Sequence, residues 1–147
     1  MTEKSLLVQH FMNRKVLTFD LRDDVADIAA TLLEQNMLGA PVIDANKKVV
    51  GFVSEQDCIK EMLNTAFHCE ITATASDVMH SDVLTVDPQM DIADLAQQMT
   101  ANKPKMYPVV SPDGKLMGLI TRADVLRALV QESANCHHRT RQTSAHG

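Results

Sequence analysis

Apolar positions along this chain alternate between a period near 3.6 and a period near two. From Asp24 onward Val25, Ile28, Ala29, Leu32 and Leu33 recur at i, i+3, i+4, i+7 and i+8, which marks a one-faced helix. Asp24 is the expected N-cap, with Asp27 one turn in, and Gly39 and Pro41 close the helix. Pro41-Val42-Ile43 opens a strand, where a proline at the first position costs no ladder bond. Asp44 to Lys47 reads as a turn and Val49 to Val53 as the returning strand. Ser54 then starts a helix with Ile59, Met62 and Leu63 facing inward. Ahead of these, Ser5 to Met12 reads as a short amphipathic helix capped by Ser5, and Val16 to Phe19 as a short strand of β-formers.

The whole pattern then returns. After a connector that contains Phe67, His68 and Cys69, Ser76 to Met79 repeats the short lead-in helix and Val83 to Val86 the first strand. Ile92, Leu95, Ala96 and Met99 repeat the helical stripe. Tyr107 to Val110 repeats the proline-bearing strand, Ser111 to Gly114 is a strong turn, and Leu116 to Ile120 returns. Thr121 caps a last helix with Val125, Leu126, Leu129 and Val130 inside. The halves align without a gap at an offset of 67 residues, from Met12/Met79 to Leu63/Val130. Val16/Val83, Thr18/Thr85, Asp27/Asp94, Pro41/Pro108, Gly51/Gly118 and Asp57/Asp124 are identical pairs. The expected boundaries are a first repeat over 1–63, a connector over 64–75, a second repeat over 76–133 and a polar, disordered tail over 134–147. Each β-α-β-β-α unit of about 55 residues buries too little apolar surface alone. An α/β (α+β) pair packed sheet to sheet around one shared core, with clefts on a pseudo-two-fold axis, is the expected fold.

Composition narrows the function. The 147 residues are 45% hydrophobic and 22% charged, with no Trp, one Tyr and nine Met. The core is therefore aliphatic, with methionine as filler. A net charge of −5 argues against nucleic-acid or anionic-membrane binding. No apolar run reaches the ~18 residues of a membrane span, and Met1-Thr2-Glu3-Lys4 lacks signal-peptide features. Cys58, Cys69 and Cys136 are odd in number and never CxxC-spaced, which fits a reducing, cytoplasmic setting.

Two stretches carry the candidate chemistry: Gly51-Phe52-Val53-Ser54-Glu55-Gln56-Asp57 and Gly118-Leu119-Ile120-Thr121-Arg122-Ala123-Asp124. Each puts a hydroxyl and an aspartate at a strand-to-helix junction, where N–H groups can face an anion and the carboxylate can accept from two hydroxyls. Each is also a capping-box-like pattern, which accounts for the same residues without any ligand. Gly51 and Gly118 leave room for a ligand to approach the backbone. Glu55 opposes an anionic ligand and Arg122 favours one, so the second repeat is the better phosphate site.

With Pro-Val-Ile-Asp and Pro-Val-Val-Ser ahead of these motifs, the chain resembles a pair of CBS (cystathionine-β-synthase) domains over roughly Val8 to Gln131. The resemblance implies a regulatory module whose clefts hold AMP, ADP, ATP or S-adenosylmethionine. It puts Ser54 and Thr121 near a phosphate, and Asp57 and Asp124 on ribose hydroxyls. Thr18 and Thr85, together with Gly39, Pro41, Tyr107 and Pro108, fall at the adenine pocket, and Arg122 beside the phosphate. It also implies a homodimer.

No nucleophile–base pair, catalytic metal motif or phosphate-binding Gly-rich loop stands in the sequence, so a non-enzymatic sensor acting on a separate effector protein is the expected function, with no required cofactor. A ligand-free dimerisation scaffold is the alternative. Cys136-His137-His138, with His68 and Cys69, offers soft metal ligands, but their spacing matches no closed zinc site.

Overall fold

The computed structural model describes residues 6–65, 72–101 and 104–145. Ser5, Phe67, His68 and Cys69 lie outside the described residues. A 3-10 turn, Val8–His10, stands where the first amphipathic helix was expected. The first repeat continues with β1 (Phe19–Asp20), α1 (Val25–Glu34), β2 (Gly39–Ile43), β3 (Val49–Ser54) and α2 (Glu55–Thr65). The second has α3 (Ala75–Val78), α4 (Ile92–Thr100), β4 (Met106–Val110), β5 (Leu116–Thr121) and α5 (Arg122–Ala145). The strand expected at Val83 to Val86 is a single parallel bridge from Val86 to Val109.

Both repeats use the same register. β2 and β3 pair antiparallel with Pro41 opposite Phe52, and β4 and β5 with Pro108 opposite Leu119. Each hairpin is irregular at the equivalent place, Val42/Ile43 and Val109/Val110. Pro41 and Pro108 sit inside their strands rather than at the start. Phe52 and Leu119 turn their backbone hydrogen bonds away from the prolines, so the absent N–H costs nothing across the hairpin.

Those outward bonds tie the repeats together. His80 donates its N–H to the Phe52 carbonyl and accepts from the Phe52 N–H, both at 2.9 Å. Asn13 makes the equivalent pair with Leu119, also at 2.9 Å. Each lead-in segment therefore extends the other repeat's hairpin. Met79 lies over Gly51 and Met12 over Gly118, where an added Cβ would come within 2.3 Å and 2.7 Å of the respective sulfurs. The room above these glycines is taken by the exchanged methionines, not left for a ligand.

The exchange gives two cores instead of one shared core. Val8 and Met12 pack into the second repeat with Ile92, Leu95, Tyr107, Val109, Ile120 and Val125. Ala75, with Val78 and Met79 against it, completes the first, built on Phe19, Val25, Ile28, Leu32, Val42 and Val53. The repeats meet edge to edge where Lys48 bridges Lys115. Val49 donates to Gly114 and Leu116 to Lys47 across this point. Gly114 adopts φ +87°, and Lys47 at the matching turn position is held at φ 66°, a left-handed conformation natural to glycine.

Helix ends differ in detail from expectation. Asp24 is the N-cap of α1 but makes no side-chain cap bond; the Val25 N–H goes to the Ala73 carbonyl instead. α1 ends at Glu34 with Gln35 as its C-cap, and Asn36 beyond it takes φ 56°. Asn36 donates to Leu33 and Met37 to Leu32, a Schellman-type ending that precedes Gly39. Ile59, Met62 and Leu63 on α2, and Leu126, Leu129 and Val130 on α5, point outward and are exposed, while Cys58, Val125 and Ala128 take the inward positions. α5 continues to Ala145, through residues where a disordered tail was expected; no Gly or Pro interrupts the sequence between Arg122 and Ala145.

Candidate functional site

The two strand-to-helix motifs fold as matched caps. In the first, Ser54 donates its backbone N–H and its hydroxyl to Asp57 Oδ2, each at 2.9 Å, and accepts from the Asp57 N–H at 3.3 Å. In the second, Thr121 does the same to Asp124 Oδ2 at 2.9 and 3.0 Å, and accepts at 3.2 Å. The Glu55 N–H goes to the Leu38 carbonyl and the Arg122 N–H to the Lys105 carbonyl. These N–H groups, which the sequence offered to an anion, are satisfied within the chain. Each aspartate keeps its second oxygen for another partner. Asp57 Oδ1 meets His80 Nε2 at 2.7 Å; Asp124 Oδ1 accepts from Arg127 at 2.9 Å.

A cavity of about 600 Å³ opens at the first motif and reaches across to the second repeat. Its apolar wall is Leu38, Phe52, Val83, Leu84, Pro104, Met106 and Pro108. Its polar groups are Ser54, Glu55, Gln56, His80, Asp82 and Lys105. An apolar slot with a few convergent polar groups suits a small amphiphilic ligand. Two carboxylates and one lysine give it no clear preference for a dianion.

Of the residues picked from the sequence, Ser54 and Pro108 line this cavity. Thr18, Gly39, Pro41, Asp57, Thr85, Thr121, Arg122 and Asp124 are not among its lining residues. An added Cβ at Gly39 would come within 2.6 Å of the Phe52 ring, so that ring, not a ligand, covers Gly39. Tyr107, expected beside an adenine, is buried in the second core, and among the described residues its hydroxyl has no hydrogen-bond partner. Its strand parity explains this: Tyr107 shares a face with Val109, whereas Met106 and Pro108 face the cavity. Burial pushes its phenol above the ordinary value, with Arg122 pulling the other way.

Phe52, Leu38 and Leu84 were missed as lining residues. The available signal was the alternation in β3, which puts Phe52 on the face opposite the core residue Val53. Among the described residues no group of three or more His, Cys, Asp or Glu is placed to hold a metal ion. No helix among them is long and apolar enough to cross a membrane.

Tandem repeats, exchanged lead-in segments and a capped aspartate in each copy define a paired-repeat module with an inter-repeat cavity. A sequence model of the CBS domain matches residues 8–64 and 75–131, and the chain belongs to that family. Its fold is similar to CBSX2 of Arabidopsis thaliana in a crystal structure with AMP, at TM-score 0.77 and 30% identity over 87% of this chain and 98% of that one. It is also similar to a Vibrio cholerae protein named AcuB, at TM-score 0.79 and 25% identity over 92% of this chain and 98% of that one. An inosine-5'-monophosphate dehydrogenase of Korarchaeum cryptofilum is 31% identical over 117 residues, covering 80% of this chain and 23% of that enzyme.

Proposed function

We propose that this chain is a non-catalytic regulatory module that senses an adenine nucleotide or nucleoside in the cavity between its repeats. The observation that carries the reading is the cavity itself, an apolar slot beside the Ser54–Asp57 motif, in a fold similar to a relative crystallised with AMP. An adenine ring fits against Phe52, Leu84, Met106 and Pro108, with the sugar toward Ser54 and Asp57 and a polar tail toward Lys105. Because the cavity draws its walls from both repeats, a bound ligand favours one arrangement of them over others. A second copy of the chain docks on the exposed apolar stripes of α2 and α5, and the ligand-dependent arrangement of the pair is what an effector protein reads.

A ligand-free scaffold has its own support. The caps account for Ser54, Asp57, Thr121 and Asp124, and both aspartates have partners within the chain.

Thermal-shift titration with AMP, ADP, ATP and S-adenosylmethionine, against a GTP control, separates the two. A ligand that binds only the folded state at about 100 times its Kd adds ~2.7 kcal/mol of stability. A shift for an adenine ligand that is reduced in Ser54→Ala and Phe52→Ala supports sensing in this cavity. No shift for any adenine ligand at millimolar concentration selects the scaffold.

A further inference from the structure

Asp57 is only 6% exposed and is not among the cavity-lining residues, yet it lies directly under one of them. His80, 65% exposed, lines the cavity and holds Asp57 Oδ1 through Nε2 at 2.7 Å. The other oxygen, Oδ2, already takes two bonds from Ser54. The carboxylate therefore has little acceptor capacity left for a diol unless the imidazole moves. The His80 backbone is pinned to Phe52 by its two 2.9 Å bonds, so release must come from side-chain rotation, which its exposure permits.

We propose that His80 is a proton-dependent latch on Asp57 that competes with the hydroxyls of a ligand and makes this cavity bind more weakly as pH falls. The latch presupposes the nucleoside-binding reading of the cavity. A neutral imidazole with its proton on Nε2 donates one ordinary hydrogen bond; protonation turns this into a charge-assisted bond, roughly twice as strong. Among the described residues, the other charged side chains lining the same cavity as His80 are Glu55 on α2, Asp82 two residues further along and Lys105 ahead of β4. Of these side-chain types, imidazole is the one that ordinarily changes charge in the near-neutral range. The second repeat cannot carry the same device, because Asn13 occupies the matching position.

Adenosine is the appropriate probe, because it carries the diol and no group that titrates in this window. Its Kd is measured at pH 5.5 and pH 8 for wild type, His80→Asn, which copies the other repeat, and His80→Gln. Wild type is expected to bind at least about threefold more weakly at pH 5.5 than at pH 8, because the ligand must then displace the stronger, charge-assisted bond. Both variants are expected to bind equally at the two pH values and more tightly than wild type at pH 5.5. The same pH ratio in the variants, or weaker binding by them at both pH values, overturns the latch.

If adenosine binds none of the proteins, the functional reading of the cavity falls, and the latch is judged without ligand. At pH 6 an imidazole must lose its proton to be carbethoxylated, and the charge-assisted bond to Asp57 opposes that loss, so the reaction at His80, mapped by mass spectrometry against the exposed His10, is expected to be slower in wild type and to accelerate in Asp57→Asn. Wild-type His80 reacting as fast as His10 overturns the latch.

Discussion

Substituting Gly51 by alanine tests the exchange of lead-in segments on which the cavity depends. The new Cβ would stand 2.3 Å from Met79 Sδ, 2.9 Å from Met79 Cγ and 3.1 Å from the His80 carbonyl oxygen. Favourable separations for such atoms are about 3.5–4.0 Å. Overpacking of this kind costs about 1–3 kcal/mol. In a chain of this length each kcal/mol lowers Tm by about 2–4 °C, so the expected fall is roughly 2–12 °C.

Most of that clash is with a flexible side chain. Met79→Ala should therefore relieve it, and Gly51→Ala/Met79→Ala should lose less stability than the sum of the single changes, by about 0.5–3 kcal/mol. At Gly118 the added Cβ would meet the Asn13 carbonyl oxygen at 2.9 Å as well as Met12 Sδ at 2.7 Å. A backbone atom does not leave when a side chain is shortened, so Met12→Ala should relieve Gly118→Ala less. Urea unfolding of the two double-mutant cycles, followed by circular dichroism, measures both couplings. An unchanged Tm in Gly51→Ala, or zero coupling to Met79, would refute the placement of the second lead-in segment on β3.

Tyr107→Phe removes a buried hydroxyl that has no partner among the described residues and is expected to raise stability at pH 7 by about 1–2 kcal/mol. The folded-state phenol titrates above its ordinary value because of burial. Its contribution is thus fully present below the unfolded value near ~10 and is lost as pH rises through the folded value. The advantage of Tyr107→Phe in chemical denaturation should therefore widen above pH 10; a loss of stability at pH 7 would mean that the hydroxyl has a partner. Leu63→Glu with Val130→Glu places charges on both exposed stripes, and sedimentation should show a dimeric mass in wild type halved in the variant. A wild-type monomer would remove the second copy from the functional reading.

Local periodicity carried much of the fold. The α1 and α4 stripes, the paired strands and the two caps all depend on residues close in sequence, and the 67-residue offset exposed their duplication. What did not show is long-range. No periodicity signals that Asn13 will bond Leu119 or that His80 will bond Phe52, so the glycines opposite Met12 and Met79 were misread as room for a ligand. The apolar stripe on each last helix was read as buried because a stripe reveals that a face is apolar, not what covers it.

Tyr107 illustrates a third limit. The first core takes its aromatic ring from Phe19 and has Ala40 on the neighbouring strand. The second has Val86 at the first position and Tyr107 at the second. The bulk is similar but is delivered from a different strand, so a side chain that the resemblance puts at the adenine pocket is taken up by the core. The candidate site was legible at Ser54 and Pro108, whereas Phe52, Leu38 and Leu84 emerge only when strand parity and the meeting of two repeats are known.

The bridge of Lys48 to Lys115 marks where a dyad would pass if the two halves were separate, identical molecules. In such an assembly every substitution would be copied into both clefts, and the clefts could never differ. Carrying both halves on one chain lifts that obligation. Glu55 can face the cavity while Arg122 occupies the matching position, and His80 can contact Asp57 while Asn13 stands at its matching position in the sequence. Covalent linkage thus lets a substitution at one motif leave the other motif unchanged.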